Sequence, residues 1–157
     1  MSKLIFNESL ILLDVEGDSV EKILETVAQN LANRKLVKES FISAIIQREK
    51  EFATGLPTAG VSVAIPHTDV HHVIAKSISV AVLKEPVDFG VMGNDSETTP
   101  VQIIFMLSMD EAHSQLSLLQ NLMQIFQDGD VLKWLVNQKD KSEIKKLLER
   151  KLEFEIN

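Results

Sequence analysis

Val61-Ser62-Val63-Ala64-Ile65-Pro66-His67 is the stretch on which the fold turns. Small and β-branched residues from Val61 to Ile65 read as a short strand. Pro66 stops it, because the proline ring removes the N–H that a strand ladder would use. His67 therefore sits where a strand breaks into a loop.

Working outward towards the N-terminus, the apolar period changes from strand to helix. Val20, Ile23, Leu24, Val27, Ala28 and Leu31 recur at helical intervals behind Asp18 and Glu21, which have capping-box spacing. A second helix is expected from about Lys38 to Glu49, with Phe41, Ile42, Ile45 and Ile46 as its apolar side and Arg48 near its end. It leads into a loop rich in Gly, Pro and Thr.

Towards the C-terminus, Ile78, Val80 and Val82 alternate with small residues in a strand over Ile78–Leu83. The nearly continuous apolar run Val101–Leu107 suits a central strand covered on both faces, and a polar loop is expected between the two. A helix over Ala112–Phe126 carries Leu116, Leu119, Leu122, Met123 and Phe126, with His113 in its first turn. Shorter helices follow, one over Asp130–Val136 and one from Ser142 that carries Ile144, Leu147, Leu148 and Leu152. Strands alternating with helices make an α/β layered domain, with one sheet between helices. No repeat or linker divides the chain, so residues 1–157 are read as a single domain.

Composition narrows the function. With 16 basic and 23 acidic residues the net charge is −7, which repels phosphate backbones and anionic lipid, so nucleic acid is not an expected partner. The apolar run Val101–Met109 falls far short of the roughly 20 residues a membrane helix needs, and no secretory signal is recognised. A cytoplasmic protein without membrane insertion is expected. The absence of cysteine removes disulfides, thiolate nucleophiles and cysteine-ligated zinc, leaving histidine, hydroxyl, carboxylate or lysine for covalent chemistry.

Of four histidines, His67, His71 and His72 lie within six residues directly after the strand at Val61–Ile65. Loops leaving strand ends in α/β folds are where ligands meet the protein. A metal site could draw on His67, Asp69, His71 and His72, but His67 and His71 would face together only on a helix, which Pro66 opposes. A metal-dependent hydrolase built on His67, His71 and His72 is the remote alternative. Neither a Walker nor a Rossmann glycine pattern occurs, and no serine stands in a nucleophile elbow, so no cofactor is implied.

Arg48-Glu49, Thr54-Gly55-Leu56 and Val63-Ala64-Ile65-Pro66-His67 together resemble the signature of the fructose/mannitol-type enzyme IIA family of the bacterial sugar phosphotransferase system. Pro100 to Leu107 followed by His113, Leu116, Leu118 and Leu119 resembles that family's central strand and the helix after it. The likeness runs from the first helix to about Asp130. The interval between Thr54-Gly55 and Ala64-Ile65-Pro66-His67 is longer than in typical fructose-type members, and galactitol-type proteins share it. Arg48-Glu49-Lys50-Glu51-Phe52 before Thr54-Gly55 is also similar to the galactitol branch.

The resemblance implies a single mixed β-sheet flanked by helices on both sides, as in mannitol-type enzyme IIA. It implies a phosphocarrier in which Nε2 of His67 is the phosphoryl acceptor, with His113 and Arg48 as phosphate-stabilising groups. Galactitol-type members do not all keep a histidine at the position of His113. Phospho-HPr would be the donor and a cysteine of enzyme IIB the acceptor, each on a separate chain. A regulatory IIA of the nitrogen-related type, signalling through the same phosphohistidine, is the runner-up.

These residue types suit the task. An imidazole with its ordinary pKa of about 6.5 is mostly neutral in the cytoplasm and needs only a hydrogen bond on its other nitrogen to fix the tautomer. A guanidinium stays charged and grips two phosphate oxygens at once. Alternatives stand beside each role: a surface ion pair for Arg48, helix capping or a solvent-facing position for His113, and structural or exposed positions for His71 and His72. Val61, Val70 and Val73 could form a docking surface or belong to the core.

Overall fold

The computed structural model describes residues 4–58 and 60–152, without the side chains at positions 95, 112–115 and 117. Its strands are β1 (Ile11–Val15), β2 (Gly55–Leu56), β3 (Ser62–Ala64), β4 (Ser77–Val91) and β5 (Asn94–Ser108). Its helices are α1 (Val20–Asn33), α2 (Ser40–Glu51), α3 (Ala112–Phe126), α4 (Gly129–Asn137) and α5 (Lys141–Leu152).

The spine is the antiparallel hairpin of β4 and β5, closed at Gly93, whose φ of +77° suits a residue without a Cβ. β1 pairs parallel with β4, and β3 pairs parallel with β5. β2 pairs antiparallel with β3 and reaches the tip of β4 at Gly55↔Val91. A Cβ on Gly55 would lie 2.5 Å from the Gly90 carbonyl oxygen, so glycine is what lets the two backbones meet.

The sheet is mixed and covered on both faces. Alternate residues of β5 point to opposite sides, so Ile103, Phe105 and Leu107 join one apolar cluster while Ile104 and Met106 join the other. The first cluster is completed by Leu118, Leu122, Leu132, Leu135, Ile144 and Leu148 of α3, α4 and α5. The second is completed by Ile23, Leu24 and Val27 of α1 with Phe41 and Ile45 of α2. This is the expected α/β architecture, and Val101–Leu107 is the doubly covered central strand. Each large side chain sealed between these layers contributes about 2 kcal/mol by leaving water.

Several expectations change in detail. The stretch between Leu83 and Val101, expected as a polar loop, forms the outer arms of the hairpin. Val87 and Phe89 turn inward, Lys84, Glu85 and Asp88 turn outward, and Val87 to Gly90 pair with the opposite arm beyond a register shift between Val82 and Val87. β1, which continues the apolar run Leu10–Leu13, and β2 add two strands to those expected. β1 is a short run with Asp14 in the left-handed region (φ 52°), and β2 has only Gly55 and Leu56.

Helix ends shift too. The N-cap of α1 is Ser19, whose side chain accepts from the Lys22 N–H, while Asp18 pairs with Lys22 at 3.2 Å. α2 starts at Ser40 and runs on to Glu51. On α3 the buried residues are Leu118, Leu122, Ile125 and Phe126, and Leu116 stands 60% exposed because it lies about 200° around the helix from Leu118. Val61 and Val73 pack partly against the core clusters.

Candidate functional site

Strand direction assembles the site. Because β3 and β5 are parallel, both reach their C-terminal ends at one edge of the sheet, where β4 begins opposite, Ser77 facing Ser108. His67 follows β3 there, and the chain leaving β5 turns into α3. Beyond the end of β3 the pairing continues, since the Leu107 N–H donates to the Pro66 carbonyl oxygen at 3.0 Å. The loop histidine is thereby tied to the central strand.

His67 is half-buried, with Nδ1 2.8 Å from the carbonyl oxygen of Ile65. A carbonyl oxygen can only accept, so Nδ1 carries the proton and Nε2 presents a lone pair. The backbone two residues before the ring thus selects the tautomer a nucleophilic Nε2 requires.

Ile65 is itself held from the other side. Its N–H donates to the Thr54 carbonyl oxygen at 3.3 Å, and Thr54 is clamped by Glu49. The Thr54 N–H donates to Oε2 of Glu49 at 2.7 Å and its hydroxyl to Oε1 at 2.8 Å. Glu49 and Thr54 are both buried, at 7% and 3% exposure. Burial pushes the Glu49 carboxyl up from 4.5 to about 7, against the two Thr54 hydrogen bonds, which pull it down.

The other candidates separate. Arg48, in the last turn of α2, lays its guanidinium over the exposed Phe52 ring at 4.4 Å. The resemblance, and not a contact in this structure, places it beside His67. The backbone of residue 113 lies in the first turn of α3, at the sheet edge that carries His67, and the His113 side chain lies outside the described residues. His72 bonds Ser40 through Nδ1 at 2.8 Å and stacks against His71, ring centroids 4.0 Å apart. Its pKa is lowered, first by burial, then by His71 and Lys38, with Asp69 opposing. Among the described residues no three His, Asp or Glu side chains converge as metal ligands. Among them, too, no helix is long and apolar enough to cross a membrane.

The family model described as "Phosphoenolpyruvate-dependent sugar phosphotransferase system, EIIA 2" matches residues 4–151. The chain belongs to this family. It is 27% identical over 117 residues to the galactitol-specific EIIA component of Escherichia coli K12, covering 73% of this chain and 76% of that protein. It is 29% identical over 100 residues to the transcriptional regulator ManR of Bacillus subtilis, covering 64% of this chain. The aligned stretch spans only 14% of ManR's length.

Solved structures agree on the fold of this IIA domain. The complex of enzyme IIAMTL and phosphorylated enzyme IIBMTL from Escherichia coli superposes with a TM-score of 0.74 at 18% identity, covering 96% of this chain and 98% of that one. The nitrogen regulatory protein IIA-Ntr of Neisseria meningitidis superposes with a TM-score of 0.73 at 25% identity, covering 92% and 96%.

In this IIA chain, reading the sequence for reactive groups passes over Glu49 and Thr54, which appear in the motif without a role. A signal was present. Glu49 continues the buried stripe of Phe41 and Ile45 at a spacing of four, and a carboxylate on a buried stripe needs a partner.

Proposed function

We propose that this enzyme IIA chain is a phosphocarrier, with His67 taking a phosphoryl group from phospho-HPr and passing it to a cysteine of enzyme IIB. The observation that carries the reading is the Nδ1–H bond to the Ile65 carbonyl, which leaves Nε2 free as the nucleophile. Family membership supports it.

In the first step the Nε2 lone pair of His67 attacks phosphorus, the new N–P bond forms, and the donor's N–P bond breaks with its electron pair returning to the donor imidazole. The Nδ1 proton stays on the ring, and the Ile65 carbonyl oxygen that accepts it stabilises the positive charge of the phosphorylated imidazole. In the second step a IIB thiolate attacks the same phosphorus, and the electron pair of the His67 N–P bond returns to Nε2. Arg48 and His113 are assigned to the phosphoryl oxygens, where charge is carried through the transition state. Donor and acceptor act as separate chains in the cytoplasm. The enzyme IIA–IIB complex among the structural neighbours supports a IIB acceptor, and the galactitol-specific relative supports a galactitol-type system.

The test is intact mass after incubation with phosphoenolpyruvate, enzyme I and HPr. Wild type should gain one acid-labile phosphate, and His67→Ala should gain none while keeping its fold. A wild type that stays unmodified beside phosphorylated HPr refutes the reading. A regulatory role through the same phosphohistidine is the second reading, favoured by the nitrogen regulatory neighbour and by the ManR match. Phosphate that reaches His67 but passes to no galactitol-type IIB would select it.

A further inference from the structure

A buried carboxyl outside the proposed phosphoryl-transfer step is linked to His67 through two intervening residues. Glu49 holds both the backbone N–H and the hydroxyl of Thr54, at 2.7 and 2.8 Å. The Thr54 carbonyl oxygen accepts the N–H of Ile65, and the Ile65 carbonyl oxygen accepts Nδ1–H of His67. Glu49, Thr54 and Ile65 each show less than a tenth of their surface, so water does not compete along most of this path. Thr54 lies in the link from the end of α2 to the two-residue strand β2, so its place depends on both the helix end and the strand pairing of Gly55.

We propose that Glu49 is a positioning residue for phosphoryl transfer, acting through Thr54 and Ile65 to hold the His67 imidazole in its Nδ1–H tautomer with Nε2 facing the donor. The inference rests on the phosphocarrier reading. Glu49 touches no reacting atom. Its effect is to fix the height and direction of the Ile65 carbonyl, which accepts the Nδ1 proton of the ring.

Hydrogen-bond geometry makes the hold independent of charge. As a carboxylate Glu49 accepts from both Thr54 groups, and as the neutral acid it accepts from the N–H and donates to Oγ1. A glutamine at 49 does the same, its oxygen accepting from the N–H and its amide donating to the hydroxyl. Alanine does neither and leaves the Thr54 N–H and hydroxyl buried without acceptors. Glu49→Gln should therefore preserve the His67 geometry, and Glu49→Ala should lose it.

The experiment pairs 15N NMR of the His67 ring with single-turnover phosphorylation by phospho-HPr, in the full-length chain. Above the ordinary pKa of imidazole, wild type and Glu49→Gln should show a protonated Nδ1 and an unprotonated Nε2. Glu49→Ala should move towards a mixture of tautomers. Its transfer rate at saturating phospho-HPr should fall about tenfold or more, as expected for a misplaced nucleophile, while the half-saturating donor concentration stays put. If Glu49→Ala does not fold, Thr54→Val takes its place, since it removes the hydroxyl bond and keeps the N–H bond. A His67 ring pattern and rate matching wild type in the folded variant overturn the positioning role alone. A wild type that accepts no phosphate at His67 overturns the carrier reading instead.

Discussion

Replacing Glu49 with glutamine should make the protein more stable at neutral and alkaline pH, and the gain can be worked out. Burial raises the Glu49 carboxyl from 4.5 to about 7 in the folded state. A raised carboxyl pKa means that the folded protein binds this proton more tightly than the unfolded chain. Glu49's contribution is therefore fully present below about pH 4.5 and is lost as the pH rises through about 7. Each pH unit across that window is worth about 1.36 kcal/mol, so ionisation of this single group costs the fold about 3 kcal/mol by pH 8.

Glutamine keeps both Thr54 hydrogen bonds and cannot ionise. Glu21, Lys50 and Glu51 line the same cleft, with Lys50 and Glu21 paired at 2.7 Å, and Arg48 adjoins Glu49 in the chain. They are unchanged in the variant, so the difference between the two proteins isolates Glu49. Urea unfolding of both from pH 4 to pH 8 should show Glu49→Gln gaining on wild type by about 3 kcal/mol. Thermal melts at pH 8 should separate by roughly 10 °C. A difference that stays level across this range would mean that Glu49 binds its proton no more tightly in the folded protein than in the unfolded chain, and would refute the argument from burial.

Other changes test other parts of the molecule. Arg48→Ala should slow phosphoryl transfer by roughly a hundredfold without abolishing it. His113→Ala should slow transfer too, and a wild-type rate in single-turnover assays of either variant removes its assigned role. Gly55→Ala should destabilise the fold, because the added methyl meets the Gly90 carbonyl oxygen at 2.5 Å; denaturant midpoints will register it. On α3, Leu122→Ala should cost about 2–5 kcal/mol, while Leu116→Ser should change stability by less than about 0.5 kcal/mol. Equal losses at the two positions would contradict the helix orientation.

The legible parts of the fold share a physical basis. α3 was readable from Ala112 to Phe126 because its apolar residues recur at a helical period over four turns. β5 between Val101 and Leu107 was readable because residues sealed on both faces leave Gln102 as the single polar position in the run. The outer arms of the hairpin were hidden for the opposite reason. Lys84, Glu85 and Asp88 face solvent, and what makes the segment a strand is pairing across the hairpin, as between Val87 and Val101. Leu116 misled because an apolar residue on a helix carries no mark of which side faces the core.

For the site the division is similar. The break at Pro66 and the placement of His67 directly after a strand follow from local chemistry, since a proline ring stops a ladder wherever it occurs. Which ring nitrogen of His67 is free does not, because the answer lies in a carbonyl whose direction is set by tertiary hydrogen bonds. The pairing of Glu49 with Thr54 is likewise a product of α2 ending against β2. The amino-acid sequence by itself determined the α/β class, the placement of a histidine directly after a strand and the motif of the family. Only the tertiary structure decided the tautomer of that histidine and the burial of the carboxyl behind it, because both depend on groups that folding, and not chain order, brings into hydrogen-bonding distance.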